Sequence, residues 1–297
     1  LNLQQRLFVG NTESATMTIS GGAQVNVALD QSASFVNQRL IVGDGGSADG
    51  SSLTITGPGS RLDFHSNGET VRIGFNGGST TNRATVRVED GGVLSAVQRN
   101  PDNSIATQAS IILGDESGGN GLLIVTGSGS LVEGSTLDLG QGPNSSGIVQ
   151  VQEGGRLSLT GNIEIGDTGT STLTNVMSVT GANSRVEAGT EFTIGAQGGV
   201  RGLLTVEDGG TVTNGTDAFI GLSNGTTATA TVGDTGSTLA ARWDVGGDLY
   251  IAGNRDLGST GSFTSGSGTQ NLEDNGTVQV AGLAVHKDRG TITHNGG

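Results

Sequence analysis

The sequence has no cysteine, one tryptophan, one tyrosine and three prolines among its 297 residues. Without cysteine the chain can form no disulfide framework, no thiolate nucleophile and no cysteine-ligated zinc site. Aromatic residues make up only 3% of the chain and charged residues only 14%, against about 25% charged in an average globular domain. A core with so few aromatic residues must be assembled from many small aliphatic side chains.

Basic residues are also scarce, since 14 of them stand against 28 acidic residues and leave a net charge of −14. Thirteen of the bases are arginines, and Lys287 is the single lysine. This charge repels polyanions, which argues against nucleic acid as a partner, and no basic cluster is available for an anionic membrane surface. No apolar run reaches the ~20 residues of a membrane helix, so no direct membrane span is expected within this chain.

Glycine, by contrast, occupies 55 positions. Each interior glycine costs a helix about 1 kcal/mol relative to alanine, and few stretches of about 12 residues lack one, so long helices are excluded. The glycines do not recur at every third position, as they do in collagen. The chain is therefore predicted to consist mainly of strands and turns.

Short apolar strands that end in glycine (written hhhG) recur along the chain and define an internal repeat. The shortest spacing is 26 residues, and longer spacings are interpreted as this unit with an inserted loop. A second strand with apolar residues at alternate positions follows each hhhG segment, as Val149 and Val151 illustrate. Period two predicts one inward and one outward face. The repeat glycines are Gly10, Gly43, Gly74, Gly114, Gly140, Gly166, Gly195, Gly221 and Gly253.

The turns after these second strands alternate between two types. Odd repeats carry Gly-Gly, at 21–22, 91–92, 154–155 and 209–210, while even repeats carry Thr-Gly-x-x-Ser, at 56–60, 126–130 and 180–184, with a degenerate copy at 233–237. A third short apolar segment follows each turn. Three short strands in about 26 residues predict an all-β, single-stranded parallel β-helix of about 8–9 coils, an elongated rod roughly 40 Å long. An antiparallel sandwich or a propeller is the alternative fold.

The repeat predicts three regions. We expect regular coils over 1–253, with an inserted loop at 95–109 that projects from the rod. The Gly/Ser-rich segment 254–276 is expected to be a flexible insertion. Strand character returns in 277–297, which is expected to form a terminal coil. Neither end resembles a cap, which indicates a fragment of a longer solenoid.

Two D-T-G-[ST] sequences, at 167–170 and 234–237, match the signature of aspartic proteases. They occupy different turn positions of the repeat, so we interpret both as turns, where Asp and Gly are common, and not as a catalytic pair.

A column of acids before the Gly-Gly turns is the candidate for a cation site. Its members lie two coils, about 10 Å, apart, which is too far to share one ion, so the column is interpreted as solvated edge charge. The three histidines show no metal-binding spacing. No catalytic residue, metal ligand or cofactor is predicted. The acids are Glu89, Asp90, Glu153, Glu207 and Asp208.

The two-coil pattern closely resembles the repeat in passenger regions of bacterial autotransporters (type V secretion), which some PEP-CTERM-sorted proteins share. The resemblance covers residues 7 to about 253 and is carried by LLTVEDGGTV at 203–212, LLIVTGSGSLV at 122–132 and LTITGPGSRL at 53–62. It implies a right-handed β-helix at the bacterial cell surface or secreted, which acts as a non-enzymatic adhesin or stalk. Any anchor would lie in a region outside this chain.

The resemblance implies as partners a host-cell or matrix protein or glycan, or self-association between cells. Connecting loops often carry function, so the 95–109 loop supplies the binding candidates. A tolerated surface insertion is the alternative interpretation of this loop. The candidates are Arg99, Asn100, Asp102, Asn103 and Gln108.

Two other functions stay open at this point. Many parallel β-helices are polysaccharide lyases or glycoside hydrolases, and others are phage tail-spikes or matrix proteins. Against an enzyme, the sequence offers no neighbouring carboxylates outside turns and a single lysine.

Overall fold

A computed structural model describes most of the chain. It contains strands and turns and no α-helix in the described ranges, so no helix there is long and apolar enough to cross a membrane. The described ranges are 1–27, 39–46, 50–65, 69–77, 82–102, 104–167, 173–253, 266–286 and 289–295.

The strands are short and follow one another closely. The first fifteen are β1 (Leu7–Val9), β2 (Thr16–Ile19), β3 (Gln24–Val27), β4 (Leu40–Asp44), β5 (Ser52–Thr56), β6 (Arg61–Phe64), β7 (Thr70–Asn76), β8 (Ala84–Glu89), β9 (Val93–Ser95), β10 (Val97–Arg99), β11 (Ile105–Gln108), β12 (Ser110–Leu113), β13 (Asn120–Thr126), β14 (Leu131–Gly134) and β15 (Leu137–Leu139). The others are β16 (Ser146–Gln152), β17 (Arg156–Leu159), β18 (Ile163–Ile165), β19 (Thr174–Thr180), β20 (Arg185–Ala188), β21 (Phe192–Ile194), β22 (Arg201–Glu207), β23 (Thr211–Asn214), β24 (Ala218–Ile220), β25 (Thr227–Val232), β26 (Ala241–Val245), β27 (Asp248–Ile251), β28 (Ser267–Leu272), β29 (Gly276–Gln279), β30 (Gly282–Val285) and β31 (Gly290–His294).

These strands form three long parallel sheets, in which each strand pairs with the equivalent strands one coil before and after it. The first sheet runs β1-β4-β7-β12-β15-β18-β21-β24-β27-β30, the second runs β2-β5-β8-β13-β16-β19-β22-β25-β28-β31, and the third runs β3-β6-β9-β14-β17-β20-β23-β26-β29. The predicted single-stranded parallel β-helix is confirmed. Among the described residues it has nine complete coils and two strands of a tenth, slightly more than expected.

The core consists of aliphatic ladders along the rod axis. One ladder of the second sheet stacks one inward residue per coil, and all of its members are fully buried: Val86, Leu123, Val149, Met177 and Leu204. Each such side chain stabilises the fold by about 1.5–3 kcal/mol relative to an exposed one. Because every coil adds to each ladder, the rod needs few aromatic residues.

Buried serines join the two turn types across coils. Ser130 Oγ accepts a hydrogen bond from Gly91 N–H of the preceding coil at 3.0 Å and donates to the Thr126 carbonyl at 2.7 Å. Ser60 and Ser184 accept the same bond from Gly22, at 3.1 Å, and from Gly154, at 3.0 Å. The two turn types that alternate in the sequence therefore bond to each other across neighbouring coils.

The acids before the Gly-Gly turns bond to the preceding coil, whereas the glycine amides bond to the serine of the following coil. Thr126 Oγ1 donates to Glu153 Oε2 at 3.0 Å, and Thr56 and Thr180 make longer bonds of 3.5 Å to Asp90 and Asp208. Asp90, Glu153 and Asp208 also adopt positive φ of 50–54° next to a glycine, as the first central residue of a type I′ turn does. Three of the five acids of the column are thus bonded to a neighbouring coil in addition to carrying edge charge.

Residues 97–102 and 104–108 of the predicted loop belong to a β-hairpin. Strands β10 and β11 pair in antiparallel fashion, with an irregularity between Gln98 and Arg99. The base of the hairpin is tied to the rod, since Ala96 N–H donates to the Glu133 carbonyl and Ala109 N–H donates to the Ala96 carbonyl, both at 2.8 Å. The insertion therefore leaves the frame of the three sheets intact.

The last coils follow the frame more closely than the sequence indicates. Residues 254–265 of the predicted flexible insertion lie outside the described residues, but 267–272 form β28, which pairs with β25 and β31. The boundary placed at 276 is therefore too far along the chain. The corner assigned to Gly253 is also one residue off, because Ile251 pairs with Ile220 and Ala252 adopts the positive φ, 57°.

The strand register predicts how charges are tolerated. Replacing the fully buried Val151 or Val206 with Asp should lower the free energy of unfolding by about 4 kcal/mol, because an unpaired charge is buried. Gln150→Asp and Thr205→Asp, at outward positions of the same strands, should change it by less than about 1 kcal/mol. Thermal melts of the four variants check this, and equal losses in both pairs would show that the register is wrong.

Candidate functional site

The middle residues of the hhhG strands form a column on the outer face of the first sheet. This column is covered although it faces away from the core, since Ile112, Thr193 and Phe219 are at most 5% exposed. Titratable groups in it are therefore partly removed from water. In register the column runs Arg72, Ile112, Asp138, Glu164, Thr193, Phe219 and Tyr250.

Three carboxyl groups meet in this column, and we call them the carboxyl cluster: Asp138, Glu164 and Asp167. Asp138 and Glu164 are Cα partners on β15 and β18, and Asp167 follows the corner glycine of the same coil as Glu164. Ligand oxygens of the three lie within 4.8 Å of one another. Asn162 Nδ2 donates to Glu164 Oε1 at 2.7 Å, and Gln141 Nε2 donates to Asp167 Oδ2 at 3.3 Å.

The cluster favours protonated acids. Burial, with the charges of Asp167 and Asp115, raises the pKa of Asp138 to about 7. Burial, with a hydrogen bond to Asp167 and the nearby charges, raises the pKa of Glu164 to about 8. Protonation of Glu164 removes a like charge beside Asp138 on the neighbouring strand and allows a hydrogen bond between Glu164 and Asp167.

The same oxygens are of the type that binds divalent cations. Ca²⁺ takes six to eight oxygen ligands, so three carboxyl groups would supply only part of a shell. The proton on Glu164 also competes with a cation for the same oxygens. Protonation and the hydrogen bonds from Asn162 and Gln141 are enough to account for the close approach of the three groups.

This cluster is not among the sites predicted from the sequence, and the expectation that no carboxylates neighbour one another outside turns is wrong. Asp138 and Glu164 lie 26 residues apart, in LDLG at 137–140 and IEIG at 163–166. Aligning the hhhG strands places both acids at the same position of adjacent coils, so the signal was present. Asp234, of the second D-T-G motif, lies beside Glu207 and not in the cluster, so the two motifs do not meet.

The predicted binding residues of the hairpin make contacts within the chain. Arg99 and Gln108 face the third sheet, whereas Asn100 and Asp102 lie at the hairpin tip, and Asn103 lies outside the described residues. The contacts are Arg99 to Glu133 at 3.2 Å, Asn100 Nδ2 to Ser104 Oγ at 3.0 Å, Ser104 N–H to Asp102 Oδ1 at 3.0 Å, and Thr160 Oγ1 to Gln108 Oε1 at 2.6 Å.

The outer face of the third sheet collects arginines, and we call it the arginine face: Arg61, Arg156, Arg185 and Arg242 on the strands, with Arg99 of the hairpin. Each arginine pairs with a carboxylate on the same face, namely Asp63, Glu133, Glu187 or Asp244. Five arginines against four carboxylates leave this face with a charge of +1. The other nine bases and 24 acids leave −15 on the rest of the chain.

Comparisons with known proteins add little. No protein-family model matches the chain, and no curated protein matches its sequence. Among solved structures, the chain matches a TibC-catalysed, hyper-glycosylated fragment of TibA, residues 55–350, with 14% identity over 98% of each chain and a TM-score of 0.23. A superposition this poor supports no conclusion about function.

The carboxyl cluster predicts a loss of stability toward alkaline pH. Between about pH 4 and 8 the folded chain binds more protons at Asp138 and Glu164 than the unfolded chain, so the stability present at low pH is lost as the pH rises through 7 and 8. The pKa of Asp138, raised from 3.8 to about 7, corresponds to about 4 kcal/mol, and the more exposed Glu164 adds less because water screens it.

Melting temperatures at pH 5 and pH 9 measure this effect. The double variant Asp138→Asn/Glu164→Gln should lose most of the decrease, because neither side chain can ionise. Glu13→Gln/Glu69→Gln removes two carboxylates outside the cluster and should retain the decrease. If the first double variant shows the same pH dependence as the unaltered chain, the cluster does not hold the extra protons.

Proposed function

We propose that this chain is a rod-like segment of a bacterial autotransporter passenger, secreted or exposed at the cell surface, and that it acts as an adhesin or as the stalk that presents one. The observation that carries the proposal is the two-coil repeat. The segments that resemble the passenger repeat, at 53–62, 122–132 and 203–212, occupy equivalent strands of the second and third sheets.

The side chains on the outer faces support a contact role over a catalytic one. Charged residues of the third sheet recur from coil to coil and pair with one another, as Arg156 and Arg185 do with Glu187. A repeated surface of this kind offers many similar contacts along one rod, and extended surfaces are what solenoid proteins use for binding.

Adhesion of cells that display the full chain tests the proposal. Bacteria displaying residues 1–297 should adhere to host-cell or matrix surfaces, or to one another, several-fold more than the same bacteria without the chain. Adhesion at background level on every surface would contradict the adhesin role.

The hairpin is one candidate for the contact. Replacing 97–107 with Gly-Ser should reduce adhesion by at least about threefold. The melting temperature should fall only modestly, because the hairpin lies outside the ladders of the three sheets and the replacement removes only the buried Val97 side chain and the Arg99–Glu133 pair. Unchanged adhesion with an unchanged melting curve would assign the contact to the faces of the rod.

A glycoside hydrolase is the second candidate, because burial raises the pKa of Glu164 toward the range of a general acid. The spacing of the carboxyl cluster argues against it, since these enzymes hold their two carboxyl groups about 5 Å or more apart on either side of the scissile bond, whereas the oxygens of the cluster lie within 4.8 Å of one another. Release of reducing ends from linear polysaccharides tests this function. It should disappear in Asp138→Asn/Glu164→Gln, and no release by the unaltered chain would reject this candidate.

A further inference from the structure

We propose that the arginine face binds a linear acidic polysaccharide, with a shallow cavity at Arg156 and Arg185 as the main site for its carboxylate groups. The inference rests on the proposed function, because it names the class of partner that an adhesive face of this rod would take.

Two arginines lie directly opposite each other at this site. Arg156 and Arg185 are Cα partners on β17 and β20, a placement of like charges that destabilises neighbouring strands. They share one carboxylate, since Arg156 Nε donates to Glu187 Oε2 at 3.1 Å and Arg185 Nε lies 2.6 Å from Oε1. Two guanidinium groups with one carboxylate leave a local charge of +1.

The remaining guanidinium donors are available to a ligand. A guanidinium has five N–H donors, and beyond Glu187 those of Arg156 and Arg185 have no partner among the described residues. Both side chains are about half exposed, at 52% and 50%. Arginine binds carboxylates through two parallel hydrogen bonds, so a carboxylate fits this pair well.

The arginines line a shallow cavity of about 330 Å³. Its other walls include Ser130, Leu131 and Asn183. The exposed amide of Asn183 suits sugar hydroxyl groups, while Leu131 offers a small apolar surface to the C–H face of a sugar ring. This combination of a few polar groups around an apolar patch is typical of ligand sites.

A second cavity on the same face points to an extended ligand. It has a volume of about 460 Å³ and is lined by Thr213, Arg242, Asp244 and Gln279, among others. Arg242 lies on β26, two strands along the sheet from Arg185 on β20, which is about 10 Å along the rod. A polymer parallel to the rod axis would reach both cavities, whereas a small anion would fill only one.

Strand pairing argues for a polysaccharide over an acidic peptide. An extended peptide commonly binds by adding a strand to an unpaired sheet edge. Strands β17, β20 and β23 are paired on both sides, so the main cavity at Arg156 and Arg185 presents side chains and no free backbone edge. The net charge of −14 opposes polyanions over most of the surface, but the excess acids lie outside the arginine face, which carries +1 against −15 on the rest of the chain. An acidic polymer is therefore repelled elsewhere, and this face is its favoured contact.

Isothermal titration calorimetry with three polymers tests the inference. Polygalacturonate carries carboxylates, dextran is a neutral polysaccharide, and polyglutamate is an acidic polypeptide. In calcium-free buffer of low ionic strength the full chain should bind polygalacturonate at least about tenfold more tightly than either of the other two, and added salt should weaken this binding. Equal affinity for dextran or for polyglutamate would overturn the proposal.

Three variants locate the site. Arg156→Gln/Arg185→Gln should weaken polygalacturonate binding at least about tenfold, or about 1.4 kcal/mol, whereas Arg87→Gln/Arg201→Gln, the same charge change on the second sheet, should weaken it by less than about twofold. Glu187→Gln removes the competing carboxylate and should tighten binding, an effect that misfolding cannot produce. Equal losses in the two arginine pairs, or weaker binding by Glu187→Gln, would reject the site.

The adhesion assay separates this inference from the proposed function. Adhesion by displaying cells without polygalacturonate binding would overturn the polysaccharide inference alone. Polygalacturonate binding without any adhesion would instead count against the adhesin role and leave the site intact.

Discussion

The structure depends on a hydrogen bond between successive coils, in which a buried serine of one turn type accepts the backbone N–H of a Gly-Gly turn. Ser60, Ser130 and Ser184 each make this bond, and each is at most 1% exposed. The bond joins each of these serine turns to the Gly-Gly turn of the preceding coil. The bonded turns support a strand register that places each side chain over its equivalent in the next coil.

Both candidate sites follow from this register. Stacking at about 4.8 Å brings Asp138 onto Glu164 and Arg156 onto Arg185, although the pairs are 26 and 29 residues apart in sequence. Like charges at this distance need compensation. The acids obtain it from a proton, and the arginines obtain it from Glu187. Stacking two acids raises their affinity for protons, and stacking two arginines creates a site that attracts an anion.

The fold could be predicted from the sequence because its signals are repeated: hhhG segments, period-two strands and alternating turns. The carboxyl cluster and the serine bonds could not be predicted in the same way, because they depend on contacts between residues far apart in the sequence. The carboxyl cluster requires alignment of 137–140 with 163–166, and the serine bonds require the order of coils in space. The last corner was assigned to Gly253 and not to Ala252, because this position is usually glycine, whereas here alanine adopts a left-handed conformation.

Amide hydrogen exchange at the turn glycines tests the central claim most directly. In the unaltered chain the amides of Gly91 and Gly154 should exchange slowly, since each donates to a buried serine. Ser130→Ala should accelerate exchange at Gly91 at least about tenfold and leave Gly154 protected, because Ser184 is unchanged. Equal exchange at Gly91 with and without Ser130 would contradict the account, since the turns would then not be held by the serine of the next coil.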